Sequence, residues 1–153
     1  MTILPKEASQ AMVRSGTRMT AQRQLILEYL FEKLSHPSAE EIHKAIYRDY
    51  PKVVSITTIY NNLRTLKELG LVREFYLHHS GVARYDTRLG HHHHLVCGEC
   101  GRIEDWLGPA PSPVMQGYTL GDDGFQPENF TMEIRGTCRN CAGSKGQVQL
   151  RAV

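Results

Sequence analysis

The segment His91–Arg102, HHHHLVCGECGR, constrains this chain more than any other stretch. It packs four histidines and two cysteines into twelve residues, and a second Cys-x-x-Cys pair stands at Cys138 and Cys141. Cys97, Cys100, Cys138 and Cys141 together offer four thiolates, which close a tetrahedron round zinc and leave no open position. A fold that satisfies this spacing must bring the end of the histidine segment beside a stretch far along the chain. Two other readings of the cysteines exist, namely reduced thiols with packing roles only and a catalytic dithiol. Paired Cys-x-x-Cys spacing favours the metal. With no apolar run long enough to span a membrane and no signal-peptide core, a cytoplasmic location is expected. There, such pairs read as metal ligands rather than disulfides.

The histidines need a second site, because the four sulfurs already fill a zinc ion. On an extended segment His92 and His94 share one face, and His91 and His93 the other. Asp105 lies on the returning strand, Asp86 closes the preceding hairpin, and His36 sits at a helix break near the N-terminus. A set of three imidazoles and two carboxylates is harder than the thiolate set and suits Fe(II) or Mn(II), and also Zn(II). A four-histidine run can also be a solvated, metal-scavenging tract.

The chain before this segment reads as helices followed by a hairpin. A short helix over 6–15 ends at Gly16, and Thr20 caps a helix over about 21–34, with Leu25, Ile26, Tyr29, Leu30 and Leu34 at helical spacing. After His36-Pro37, Ser38 and Glu41 have the form of a capping box, opening a helix to about residue 49. Ser55 caps a helix over 56–69 that stops at Gly70. Leu71–Leu77 and Val82–Asp86 read as a β-hairpin turning at Ser80-Gly81. Thr87–Gly90 reads as a hinge. Beyond it, Leu95–Cys97, Arg102–Trp106 and Phe130–Arg135 read as strands. The Pro- and Gly-rich stretch 107–127 carries at most a weak helix near 112–120. Residues 142–153 are expected to form a disordered tail.

Helix 56–69 is two-faced. Ile59, Leu63 and Leu66 share one side, and Thr57, Asn61 and Arg64 the other, with Tyr60 at its flank. Hydrogen-bonding side chains on an outer face can reach base edges or phosphates. Residues 1–86 hold twelve Lys and Arg against nine Asp and Glu, a net of +3, whereas 87–153 hold six against seven, a net of −1. The basic half is thus the one with the two-faced helix. Helices followed by a hairpin give a winged helix-turn-helix, with 38–49 supporting and 56–69 entering the major groove of duplex DNA. The plain alternative is a small helical module with a solvated outer face.

Several motifs in order resemble the ferric uptake regulator family. They are Arg18-Met-Thr-Ala-Gln-Arg23, His36-Pro-Ser-Ala-Glu-Glu41, Ser55-Ile-Thr-Thr-Ile-Tyr-Asn-Asn-Leu63, and HHHHLVCGECG with the closing Cys138-x-x-Cys141. The run Tyr60-Asn61-Asn62-Leu63-Arg64 is similar to the peroxide-sensing repressors of that family. The resemblance implies an α+β fold: an N-terminal winged helix-turn-helix (1–86), a hinge (87–90) and a small α/β dimerisation domain with a structural zinc site (91–141). It implies a homodimer that binds palindromic operators when metal fills a regulatory site made by His36, Asp86, His92, His94 and Asp105. Aspartate at position 105, where iron sensors of the family usually carry glutamate, goes with peroxide reactivity. Peroxide then adds oxygen to a ligand histidine, His36 or His92, and DNA is released. Arg18, Arg23, Thr57, Thr58, Tyr60, Asn61 and Arg64 are the expected DNA contacts. The family's further metal histidine would fall at Phe130, with Asn129 before it, so no complete third site is expected. An iron, manganese or zinc homeostasis regulator is the close alternative. A zinc hydrolase would need an open metal position and a general base. A zinc-stabilised interaction module would bind no DNA.

Overall fold

The computed structural model describes residues 4–108 and 131–144. Its backbone divides into two compact units, one ending at Gly90 and the other starting at His91. The fold is α+β.

The first unit opens with α1 (Pro5–Arg14) and α2 (Ala21–Glu28), followed by α3 (Ala39–Asp49), α4 (Ile56–Glu68), β1 (Arg73–Tyr76) and β2 (Ala83–Asp86). The caps form as the sequence predicts. Thr20 accepts the Arg23 N–H, and Ser55 accepts the Thr58 N–H at 3.1 Å. Ser38 and Glu41 close a reciprocal capping box, with Glu41 N–H on Ser38 Oγ at 3.2 Å and Ser38 N–H on Glu41 Oε2 at 3.0 Å. Gly16 and Gly70 take left-handed φ values of +84° and +66°, which lets each helix end without a Cβ clash. Met12, Ile26, Leu30, Ile42, Ile46, Ile59, Leu63 and Leu66 form the centre of the core, none more than 1% exposed.

Two departures from the sequence reading stand out here. The helix expected over 21–34 has the right extent, but its last turn, Tyr29–Lys33, is a π-turn closed by Leu34 N–H on Tyr29 O at 3.0 Å. The hairpin strands are four residues each, shorter than expected. Leu71 and Val72 pack into the core instead of lying in the sheet. β1 and β2 pair antiparallel from Arg73 opposite Asp86 to Tyr76 opposite Ala83.

The second unit is a three-stranded sheet in the order β4 (Ile103–Trp106), β3 (His93–Cys97), β5 (Glu133–Gly136). β4 runs antiparallel to β3 and β5 parallel to it. A short helix, α5 (Arg139–Ser144), follows β5. It corrects the expectation that disorder begins at residue 142: the helix carries through Ala142 and Gly143. The weak helix near 112–120, the positions Asn129 and Phe130, and the tail from 145 lie outside the described residues. Among the described residues, no helix is long and apolar enough to cross a membrane.

Candidate metal centres and nucleic-acid interface

Four thiols gather at one end of the second unit. Cys97 closes β3 and Cys100 follows in a tight turn. Gly101, at φ +73°, donates its N–H to Cys97 O at 3.0 Å, and Cys97 N–H returns to Arg102 O at 2.9 Å. In the other pair Cys138 stands just before α5 and Cys141 lies on it, and Ala142 N–H on Cys138 O closes the helical turn between them. Gly98 N–H on Gly136 O at 2.9 Å pins the two stretches together. The four Sγ atoms lie within 4.8 Å of one another, and none is in a disulfide. Cys100 Sγ and Cys138 Sγ are 3.8 Å apart. A tetrahedral zinc with bonds of about 2.3 Å to sulfur requires an edge of about 3.8 Å, so the donor set fits that ion. The backbone also favours thiolate. The N–H of Cys138, 3.3 Å from Cys97 Sγ, and then those of Cys100 and Glu99 lower the Cys97 thiol to about 6. Cys141 goes the other way. Hydrogen bonds with the Cys138 and Cys100 thiols, together with burial, raise it to about 12. A divalent cation would relieve that crowding, since thiolate ligation releases the proton.

The harder ligands fall into two groups, one in each unit. In the first unit His36 sits between the π-turn and α3. Its φ of +48° is an uncommon conformation for a residue with a side chain, and such outliers cluster at functional sites. Ser35 Oγ lies 2.9 Å from His36 Nδ1, which leaves Nε2 toward Asp86 Oδ1 at 3.9 Å. The loop is seated by Tyr85 N–H on Pro37 O at 3.0 Å, next to the Asp86 end of β2. Asp86 Oδ1 also accepts the Arg88 N–H at 2.7 Å.

In the second unit His92 Nε2 and His94 Nε2 are 3.2 Å apart. Two imidazoles binding one ion at about 2.1 Å, at right angles, would have their nitrogens about 3 Å apart. Asp105 is the antiparallel partner of His94 and brings Oδ1 to 3.6 Å from His92 Nε2. His91 and His93 make a separate pair, ring centroids 5.0 Å apart. His93 is buried, its Nδ1 accepts the Met132 N–H at 3.2 Å, and burial first, then His91 and His92, lower its pKa. It fastens the sheet to the residue before β5.

The outer face of α4 is as the helical spacing requires. Thr57, Asn61 and Arg64 are exposed, Tyr60 is 45% exposed, and Thr58 is half-buried with its hydroxyl 2.9 Å from Ser55 Oγ. The Tyr60 hydroxyl donates to Glu40, and Arg64 Nε to Glu68 at 2.9 Å. Arg18 is exposed and Arg23 half-buried. The sequence reading passed over Asn62, which is 3% exposed and bonded to Arg23, and over Ser35, which orients His36.

The ferric uptake regulator family model matches residues 14–135, which takes in the caps, α4, the histidine run and the first thiol pair. The chain belongs to the ferric uptake regulator family. It is 37% identical over 137 residues to the peroxide operon regulator of Bacillus subtilis, covering 90% of this chain and 92% of that protein. It is also 37% identical over 136 residues to the peroxide-responsive repressor PerR of Staphylococcus aureus, covering 89% and 90%. Among solved structures, a zinc-bound manganese uptake regulator superposes with a TM-score of 0.68 at 23% identity, over 86% of this chain and 98% of that one. At that identity the likeness speaks for the fold alone. This member of the ferric uptake regulator family thus shares its fold with that regulator over most of its length.

Proposed function

We propose that this protein is a metal-dependent transcriptional repressor that senses peroxide, binding palindromic operator DNA as a cytoplasmic homodimer. The first unit is the winged helix-turn-helix, with α4 as the reading helix and β1–β2 as the wing. The second unit carries structural zinc on Cys97, Cys100, Cys138 and Cys141, and it forms the dimer. The observation that carries the reading is the convergence of His92, His94 and Asp105 on one point, in a chain whose relatives are named for peroxide response.

His36 and Asp86 make two hard donors, and His92, His94 and Asp105 three. We assign all five to one regulatory ion, Fe(II) or Mn(II), so that metal binding fixes the winged helix relative to the dimer domain. Five donors leave one octahedral position open. Iron(II), when bound there, supplies an open coordination position and reducing power toward peroxide. The residues then set what is oxidised. Ser35 holds His36 by Nδ1, which would leave Nε2 as the ligating edge, and His92 is buried. One ring carbon of His36 or His92 gains one oxygen atom and is oxidised by two electrons, while peroxide is reduced to water. An oxidised ring would be a poorer ligand, so the protein would lose its hold on metal and on operator DNA. The histidine is consumed, so the change is a signal and not a turnover.

Peptide mass mapping of iron-loaded protein, before and after stoichiometric peroxide in air-free buffer, tests the reading. The expected result is one added oxygen on His36 or His92 with the cysteines unchanged. Confirmed iron(II) binding without histidine oxidation would instead place the protein among regulators of iron, manganese or zinc homeostasis.

A further inference from the structure

Arg23 contrasts with the ion-paired cations of the first unit. Lys33, Arg48, Arg64, Lys67 and Arg84 each face a carboxylate. Among the described residues no carboxylate pairs with Arg23, although it is half-buried. Two neutral oxygens hold it instead. Its Nε–H donates to Asn62 Oδ1 at 2.5 Å, and one terminal nitrogen donates to the Arg18 carbonyl. The Asn62 amide can sit only one way round. Arginine only donates and a carbonyl only accepts, so Oδ1 must face Arg23 and Nδ2 the Thr58 carbonyl, at 2.7 Å. Asn62 is thereby locked at both ends, 3% exposed, on the turn of α4 that carries Tyr60, Asn61 and Arg64.

A guanidinium desolvated by half and held by neutral dipoles keeps its full charge and three further N–H donors. Its planar fork is poised to donate to two oxygens of an external anion such as a phosphate. Thr20 caps α2 with the N–H of this same Arg23, so the residue's backbone and side chain are both fixed. We propose that Asn62 is a positioning residue for DNA binding. It aims Arg23 at a backbone phosphate and locks that phosphate clamp to the reading helix, so that backbone contact and base contact share one register. The proposal rests on the repressor reading above.

The test uses full-length protein loaded with zinc and manganese(II), and the tightest duplex that wild-type protein recovers from a random DNA pool. Binding is measured across a range of salt concentrations. Asn62→Leu keeps the side-chain volume and removes the hold on Arg23. Because the bound dimer carries two copies, operator affinity should fall at least about tenfold and the salt slope by about two, the signature of one lost phosphate contact per subunit. Arg23→Gln should do the same, and the double variant should lose nothing more. Arg23→Lys keeps the charge without the held Nε–H and should bind like Asn62→Leu, which keeps the test open should the Leu variant fail to fold. A purely structural role would lower the melting temperature and leave the salt slope as in wild type. An unchanged slope in Asn62→Leu, additive losses in the double variant, or wild-type binding by Arg23→Lys would each overturn the proposal while the repressor reading stands. If metal-loaded wild type recovers no duplex, the repressor reading falls and takes the proposal with it.

Discussion

Replacing Cys138 with serine isolates one metal–sulfur bond. The backbone N–H of Cys138, which supports Cys97 Sγ at 3.3 Å, survives the change, and so does the helical turn that sets the spacing to Cys141. The position is half-buried, so a serine hydroxyl meets little desolvation. What is lost is one of four thiolates from a cluster whose 3.8 Å contact already matches a zinc tetrahedron. Structural zinc binds with about 10–16 kcal/mol at neutral pH, so an equal share per thiolate is roughly 2.5–4 kcal/mol. At about 1.4 kcal/mol per decade, zinc affinity should fall by about two to three orders of magnitude. Competition of purified protein against a chromophoric zinc chelator reads this directly. Because β5 and α5 are tied to β3 through the cluster, the variant should also melt below zinc-loaded wild type, in the direction of chelator-treated protein. Wild-type zinc affinity in Cys138→Ser would refute the four-thiolate assignment. Wild-type melting after chelation would refute its structural role.

Three further outcomes are expected. Leu63→Ala empties a fully buried site on the inner face of α4, and urea unfolding should show a loss of about 3 kcal/mol; a loss below about 1 kcal/mol would contradict the packing described. Arg64→Ala should weaken operator binding by about 1–3 kcal/mol if the side chain reads a guanine, and unchanged affinity would remove it from the reading set. Asp49 is held down to about 2, first by the Arg48 guanidinium and then by the Tyr29 hydroxyl. A depressed folded-state value adds stability above the unfolded value of about 4, which is lost as pH falls from there toward 2. Asp49→Asn should flatten the acid limb of the stability profile in that window, and superimposable acid limbs would speak against the pairing.

Features written in short range were legible in the sequence. The capping box at Ser38 and Glu41, the caps at Thr20 and Ser55, the two-faced α4 and the paired Cys-x-x-Cys turns all appear where local spacing puts them. What the sequence hid depends on partners far away. Asn62 sits between the two faces of α4, and only Arg23, thirty-nine residues earlier, explains its burial. The π-turn at Tyr29 falls in a segment whose side-chain period reads as ordinary helix, and Tyr29 hydroxyl contact with Asp49 links it to the end of α3. α5 contains Gly143 and Ser144, poor helix formers, so propensity argued against it; the helical turn from Cys138 to Ala142 nevertheless forms and brings both thiols of the pair to the cluster. Ser35 carried no signal at all beyond its place before His36.

Strand β3 carries imidazole donors at one end and a thiolate at the other. His94 and Cys97 are three residues apart, about 10 Å along an extended backbone. Two donors on a common ion, each about 2.0–2.3 Å from it, can be at most about 4.5 Å apart. Residues three apart on a strand also point to opposite faces, which disfavours a mixed sulfur–nitrogen ligand set from these two residues. The soft and hard donors at these two positions are thus presented to different sides. Any separation of soft from hard ions in this protein would then rest on a rigid length of backbone. An inserted residue that buckled β3 would damage that separation before it damaged either site.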